Sequence, residues 1–219
     1  MRIFQSVIHS LFGVLLAASL SDSAVAQPTQ TLAWKQGQTW RYQGVDITFQ
    51  HQDIGTVVKS VVRVQDDGFV TNINGVEEFV KPSGAHVRAM PDGSGTFDYF
   101  PIRLPMAQGV SWKSLYHYRG GQTGAMANED LTCNVASNED IIVPAGRFET
   151  VRIECNGRWS AGRYSDRVTR TYWYSPSLQW FAKYSSEFMD RGKSPVPIRR
   201  EWSLLESSVR ETPLIDRAQ

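Results

Sequence analysis

Thr56-Val-Val-Lys-Ser-Val-Val-Arg-Val-Gln65 is the stretch on which the fold turns. Its even positions Val58, Val62 and Val64 make one apolar row while Lys59, Arg63 and Gln65 point the other way, as in a strand with one buried face. The same two-residue period returns at 150–156, where Val151, Ile153 and Cys155 alternate with Arg152, Glu154 and Asn156. It returns again at 180–188 (Trp180, Ala182, Tyr184, Phe188), at 112–118 (Trp112, Tyr116, Tyr118) and at 200–204 (Trp202, Leu204). Turn signals separate these runs: Asp66-Asp67-Gly68, Asn74-Gly75, Pro91-Asp92-Gly93, Gly120-Gly121, Pro144-Ala145-Gly146 and Ser175-Pro176. Past the N-terminal leader, no segment longer than about ten residues carries a 3.6-residue apolar period. The expected fold is all-β: an antiparallel meander of about ten strands whose curved sheet forms a half-barrel or a closed sandwich.

With 219 residues, 41% of them apolar and 21% charged, the chain can build one core, and a single domain is expected. Residues 1–26 read as a secretory signal: Arg2, a mostly apolar stretch from Val7 to Leu20, then Ala24-Val25-Ala26, with cleavage after Ala26. That stretch is shorter than the roughly 20 apolar residues a membrane span needs. No cysteine follows the cleavage site to carry an acyl anchor, so a periplasmic protein, peripheral to a membrane at most, is expected. The β domain should occupy 27–206, with a loose tail over 207–219. Loss of the leader removes Arg2 and Asp22 and leaves a net charge of +1, which argues against a surface built to grip nucleic acid.

Cys133 and Cys155 lie on either side of the Pro144-Ala145-Gly146 turn, so antiparallel pairing would set them nearly opposite each other. In an oxidising compartment a disulfide is the first reading, with two buried thiols or a redox pair as alternatives. Gly37-Gln-Thr-Trp40-Arg41 is echoed by Gly109-Val-Ser-Trp112-Lys113; each reads as a loop-ending glycine before a strand anchored by tryptophan.

The run Val143-Pro-Ala-Gly-Arg-Phe-Glu-Thr-Val-Arg-Ile153, followed by Thr171-Tyr-Trp-Tyr-Ser-Pro176 and Phe181-Ala-Lys-Tyr184, carries a family pattern. It resembles the VPAG-x-F-x-T-x-R-I and YWYSP signature of uncharacterised bacterial periplasmic β-proteins, similar in fold to the LolA and LolB lipoprotein carriers. The resemblance covers roughly residues 130–190. It implies a curved antiparallel sheet wrapped around a helix and a greasy cavity, and it implies no activity. No amphipathic helix stands out here, so either two sheets close on each other or part of 82–111 covers the opening.

No G-x-S-x-G, H-E-x-x-H, P-loop or strand-following G-x-G-x-x-G occurs. His51, His86 and His117 lie far apart, so neither a metal site nor a cofactor is expected, and His51 with Asp53 reads as a surface edge. Adjacent carboxylates such as Glu77-Glu78 and Glu129-Asp130 read as solvated turn residues. Between 147 and 200, eleven basic residues stand against five acidic ones, and neighbouring strands could neutralise them. Alternatively Arg158, Arg163, Arg167 and Arg170 with Trp159, Tyr172 and Trp173 form a face for an anionic envelope component. The favoured function is a non-catalytic envelope protein that binds or helps assemble an apolar or anionic component: a lipid, a lipoprotein or a glycan. A hydrolase of envelope glycan or lipid, and a structural subunit pairing through a strand edge, are the alternatives.

Overall fold

A computed structural model describes residues 31–89, 96–99, 101–119, 126–189 and 196–209. The leader, its cleavage site and the tail beyond 209 lie outside the described residues, as do the Pro91-Asp92-Gly93 and Gly120-Gly121 turns. Among the described residues there is no helix; twelve strands form one sheet. They are β1 Thr39–Asp46, β2 Gln52–Gln65, β3 Gly68–Ile73, β4 Val76–Val80, β5 His86–Ala89, β6 Thr96–Tyr99, β7 Ser111–Arg119, β8 Met126–Val143, β9 Gly146–Ala161, β10 Tyr164–Ser175, β11 Trp180–Phe188 and β12 Ile198–Ser207. The two beyond the expected ten are the four-residue β5 and β6, too short to show alternation.

The spatial order runs β6-β5-β4-β3-β2-β1-β12-β11-β10-β9-β8-β7, every neighbour antiparallel. The first and last strands therefore pair in the middle of the sheet, with Tyr42 opposite Leu204. The two edges, β6 and β7, follow each other along the chain and approach without pairing. The result is the half-barrel alternative, a curved and unclosed sheet. Ser208 donates its backbone NH to the Thr39 carbonyl (3.1 Å), so the chain stays attached to β1 just past β12.

The β8–β9 hairpin behaves as its sequence requires. Val143 pairs with Gly146 around a Pro144-Ala145 turn, and the register brings Cys133 directly opposite Cys155, where a disulfide joins them. The echoed motif also has a structural meaning. Gly37 (φ +85°) donates to the Val61 carbonyl and Val61 donates to Gln38; Gly109 (φ +82°) donates to Val135 and Val135 donates to Val110. The partner strands even share a register shift just after those valines, between Val61 and Arg63 and between Val135 and Ser137. β1–β3 and β7–β9 thus start in the same way, with Trp40 and Trp112 buried at equivalent places.

One expectation is reversed. In β2 it is Lys59 and Val61 that are buried, each 2% exposed, whereas Val58 (38%) and Val64 (49%) face outward. Valines occupy both faces of this strand, so alternation could not choose between them, and a lysine was assigned to solvent by default. The interior accepts Lys59 because it meets a carboxylate, a hydroxyl and two indoles there.

Alternating strand direction puts the 31–38 segment and the β2–β3, β4–β5, β6–β7, β8–β9 and β10–β11 connections at one end. That end is plugged. Trp34 packs 5.2 Å from each of Trp40, Phe69 and Trp180. Leu32 donates its backbone NH to the Pro82 carbonyl (2.8 Å), and Trp34 donates its indole NH to the Gln179 carbonyl (3.1 Å). Buried Pro101 and Ile102 add to the plug, with Gly84 (φ +89°) leaving room for Ile102. Extended chain, part of it from the 82–111 region, stands where the lipoprotein-carrier resemblance implies a helix.

Candidate functional site

The alternating inward rows of β1, β2, β4, β8, β10 and β11 converge on a cavity of about 290 Å³. Six aromatic side chains line it, Tyr42, Tyr116, Tyr172, Trp180, Phe181 and Tyr184, with Val57, Ile73 and Pro101 beside them. Lys59, Glu78, Glu129 and Arg170 stand among them. A second hollow of about 370 Å³ shares Glu129 and Arg170 and extends to Trp159, Phe188, Arg200 and Trp202.

Packing holds the aromatic wall rigid. Tyr184 stacks on Trp202, centroids 4.8 Å apart and planes within 8°, and Tyr172 lies 4.7 Å from Phe181. Tyr42 donates its hydroxyl to the Phe181 carbonyl at 2.7 Å. Burial, aided by neighbouring Tyr184, pushes the Tyr42 phenol well above its ordinary pKa, and burial does the same to Tyr184. Gly44 is required opposite: a Cβ there would lie 2.8 Å from both Ile54 and the Trp202 indole.

The four charges form two pairs. Lys59 donates its Nζ to Thr71 Oγ1 (3.0 Å), has Glu78 Oε2 at 3.7 Å and sits 4.6 Å above the Trp180 ring. Burial pulls its pKa down from 10.5 to about 8, against the opposing pull of Glu78. Arg170 donates from Nε to Glu129 Oε2 (2.8 Å) and from a terminal nitrogen to Oε1, a two-point fork on a carboxylate that is 4% exposed. In this site each cation is matched by its own anion.

The seven residues singled out from sequence do not share a face. Trp159, Arg170 and Tyr172 point inward and line the two hollows. Arg158 and Arg167, one residue out of step with them, pair with each other on the outer face. Trp173 is also outside, donating its indole NH to Glu139 Oε1 (2.5 Å) beneath the Lys183 ammonium. Arg163 occupies the β9–β10 turn against Tyr164. Lys59, Glu78, Glu129 and Tyr42 were missed as site residues. Glu78 and Glu129 read with their neighbours Glu77 and Asp130 as solvated turn residues, but they lie inside β4 and β8, where the pleat turns one carboxylate of each adjacent pair into the cavity. The signal for Lys59 was present, in that Val57 and Val61 flank it at two-residue spacing.

No protein-family model matches the chain, and no curated protein does. Solved structures do match in fold. A Bacteroides fragilis protein described as exported, with a YmcC-like fold, superposes with a TM-score of 0.54 at 13% identity, covering 82% of this chain and 99% of that one. This chain is similar to it in fold. A Parabacteroides distasonis protein described as a lipoprotein gives 0.49 at 13% identity over 82% of this chain and 98% of its own. The hypothetical lipoprotein YmcC of Escherichia coli gives 0.42 at 12% identity over 78% and 84%.

Proposed function

We propose that the protein is a non-catalytic, periplasmic component of the cell envelope that holds an apolar or anionic envelope molecule, a lipid or an acylated or glycan component, in the concave face of its sheet. The observation that carries this reading is the aromatic cavity of about 290 Å³ with the Arg170 guanidinium at its wall. Apolar walls with a few fixed polar groups are what a small amphiphile requires. An anionic head would compete with Glu129 for Arg170. An acceptor on the ligand would satisfy the buried Trp159 Nε1, which has no hydrogen-bond partner among the described residues. The description of the Bacteroides fragilis fold neighbour as an exported protein agrees with this setting.

The hydrolase alternative needs carboxyl groups able to exchange protons with a substrate. Glu129 has both oxygens engaged by Arg170, which favours a role in holding over one in proton transfer. The test is native mass spectrometry of protein purified from the periplasm. The wild type should carry a co-purifying lipid or glycan mass, and Arg170→Leu combined with Glu129→Leu should lose an anionic one. A wild-type spectrum showing only the bare polypeptide would refute the reading.

A further inference from the structure

Four inward positions stand side by side across the middle of the sheet. The register sets Arg170 of β10 opposite Ser186 of β11, Ser186 opposite Arg200 of β12, and Arg200 opposite Asp46 of β1. On the other flank Trp159 of β9 stands opposite Glu129 of β8. Arg170, Ser186, Arg200, Trp159 and Glu129 all line the second hollow of about 370 Å³, and Phe188 and Trp202 give it apolar walls.

The charges here close among themselves. Arg170 engages both oxygens of Glu129. Arg200 donates from Nε to Asp46 Oδ2 at 3.4 Å and lies 5.5 Å from the Phe188 ring centroid, while Asp46 Oδ1 accepts the Thr48 and Phe49 NH groups. Asp166, opposite Trp159 in the register, adds a third carboxylate on this face. Two arginines among three carboxylates leave no net positive charge to draw an anion in, and a cation would find the lining carboxylate already taken. What the walls do offer is neutral hydrogen-bond donors. Trp159 Nε1 is buried with no hydrogen-bond partner among the described residues, and Ser186, 6% exposed, brings a hydroxyl. A buried donor left unpaired costs free energy that a ligand acceptor would recover. A sugar would need acceptors for its own hydroxyls as well, and Glu129 has no oxygen left to give.

We infer that this hollow receives the uncharged ester region of an acylated molecule, whose carbonyl oxygens accept from Trp159 Nε1 and Ser186 Oγ while its alkyl parts lie against Phe188 and Trp202. The inference rests on the proposed reading of the concave face as the holder of an envelope amphiphile, and it names the part of that amphiphile that is recognised. An ester supplies acceptors without donors and without charge, which is the complement of these walls. Because Glu129 and Arg170 line both hollows, an ester seated here directs its acyl chain into the aromatic cavity. Selectivity then comes from the carbonyl and owes nothing to the charge of a head group.

The experiment is calorimetric titration of the purified, delipidated protein with three probes. They are dihexanoylglycerol, its dihexyl ether analogue in which each carbonyl is replaced by a methylene, and dihexanoyl phosphatidic acid, which keeps both carbonyls and adds an anionic phosphate. The wild type should bind the ester about tenfold more tightly than the ether, the gain from pairing one buried donor. The phosphatidic acid should bind no more tightly than the neutral ester. Trp159→Phe should bind ester and ether alike, with the wild-type affinity for the ether and an unchanged melting temperature. Equal wild-type affinity for ester and ether would overturn the inference while leaving the holding of an amphiphile intact. A preference for the phosphatidic acid would overturn it by assigning the hollow to an anion, and release of hexanoate would overturn it in favour of hydrolysis. Failure of all three probes to bind would remove the lipid form of the proposed function and the inference with it. Should Trp159→Phe melt lower, the wild-type comparison of ester with ether still decides.

Discussion

Lys59 is the residue on which the interior is most delicately balanced. Its pKa of about 8 lies below the 10.5 of an exposed lysine, so the unfolded chain holds this proton more tightly than the folded one. Stability should therefore climb as pH rises from 8 toward 10.5, by about 3 kcal/mol if nothing else titrated. Tyr174, pushed up to about 12 by burial, acts in the opposite sense. Above pH 10 the unfolded chain releases a phenolic proton that the folded chain keeps, and stability falls again. A maximum near pH 10 is expected in urea midpoints measured across this range. Lys59→Met alone should destabilise by about 3 kcal/mol because it removes the cation facing the Glu78 carboxylate, whereas Lys59→Met with Glu78→Met should be neutral or stabilising at pH 7 and lose the rise between pH 8 and 10. A double variant with the wild-type pH profile would mean that Lys59 is not the titrating group.

At the level of elements, the β8–β9 hairpin is the most strongly specified part of the chain. Its turn, register and cross-strand disulfide were all legible, because Pro144 and Gly146 mark the reversal and the two cysteines lie at equal distances from it. Replacing both Cys133 and Cys155 with alanine should cost about 3 kcal/mol for a loop of this length, read as a lower urea midpoint. An unchanged midpoint would show that the strand ladder alone fixes the hairpin. Elsewhere the strands were legible but their facing was not. β2 has valine on both faces, so only its register against Trp40 and Ile73 shows that Lys59 turns inward. In β9 and β10, residues one apart were grouped by charge and aromaticity, yet the pleat sends Arg158 outward and Trp159 inward. β5 and β6 carry too few residues for a period, and the segment at 31–36 fills the barrel end through contacts with Pro82 and Gln179, remote positions that no local pattern announces.

At the scale of the whole molecule, the order of strands leaves one weak seam. β1 and β12 close the middle of the sheet across a ladder from Trp40 to Asp46, while β6 and β7, though consecutive, remain unpaired. Around that seam the belt is thin: β4 and β5 share only the pairs Phe79 with Val87 and Val80 with His86, whereas β8 and β9 pair from Ala127 to Val143. Local opening follows the weakest ladder, since short strands bury little and expose their amides first. Hydrogen exchange followed by mass spectrometry should thus show His86–Ala89 and Thr96–Tyr99 exchanging well ahead of peptides covering Leu131–Val135 and Ile153–Cys155. Because Tyr116 of the edge strand β7 and Pro101 of the connection leading into it both line the cavity, this opening would also be a lateral way in for a long acyl chain. A bound lipid should then slow exchange at β6 and β7 more than at β1 and β12. Equal protection of seam and centre in the unliganded protein would mean that the sheet closes in solution and that a ligand must enter from the end opposite the Trp34 plug.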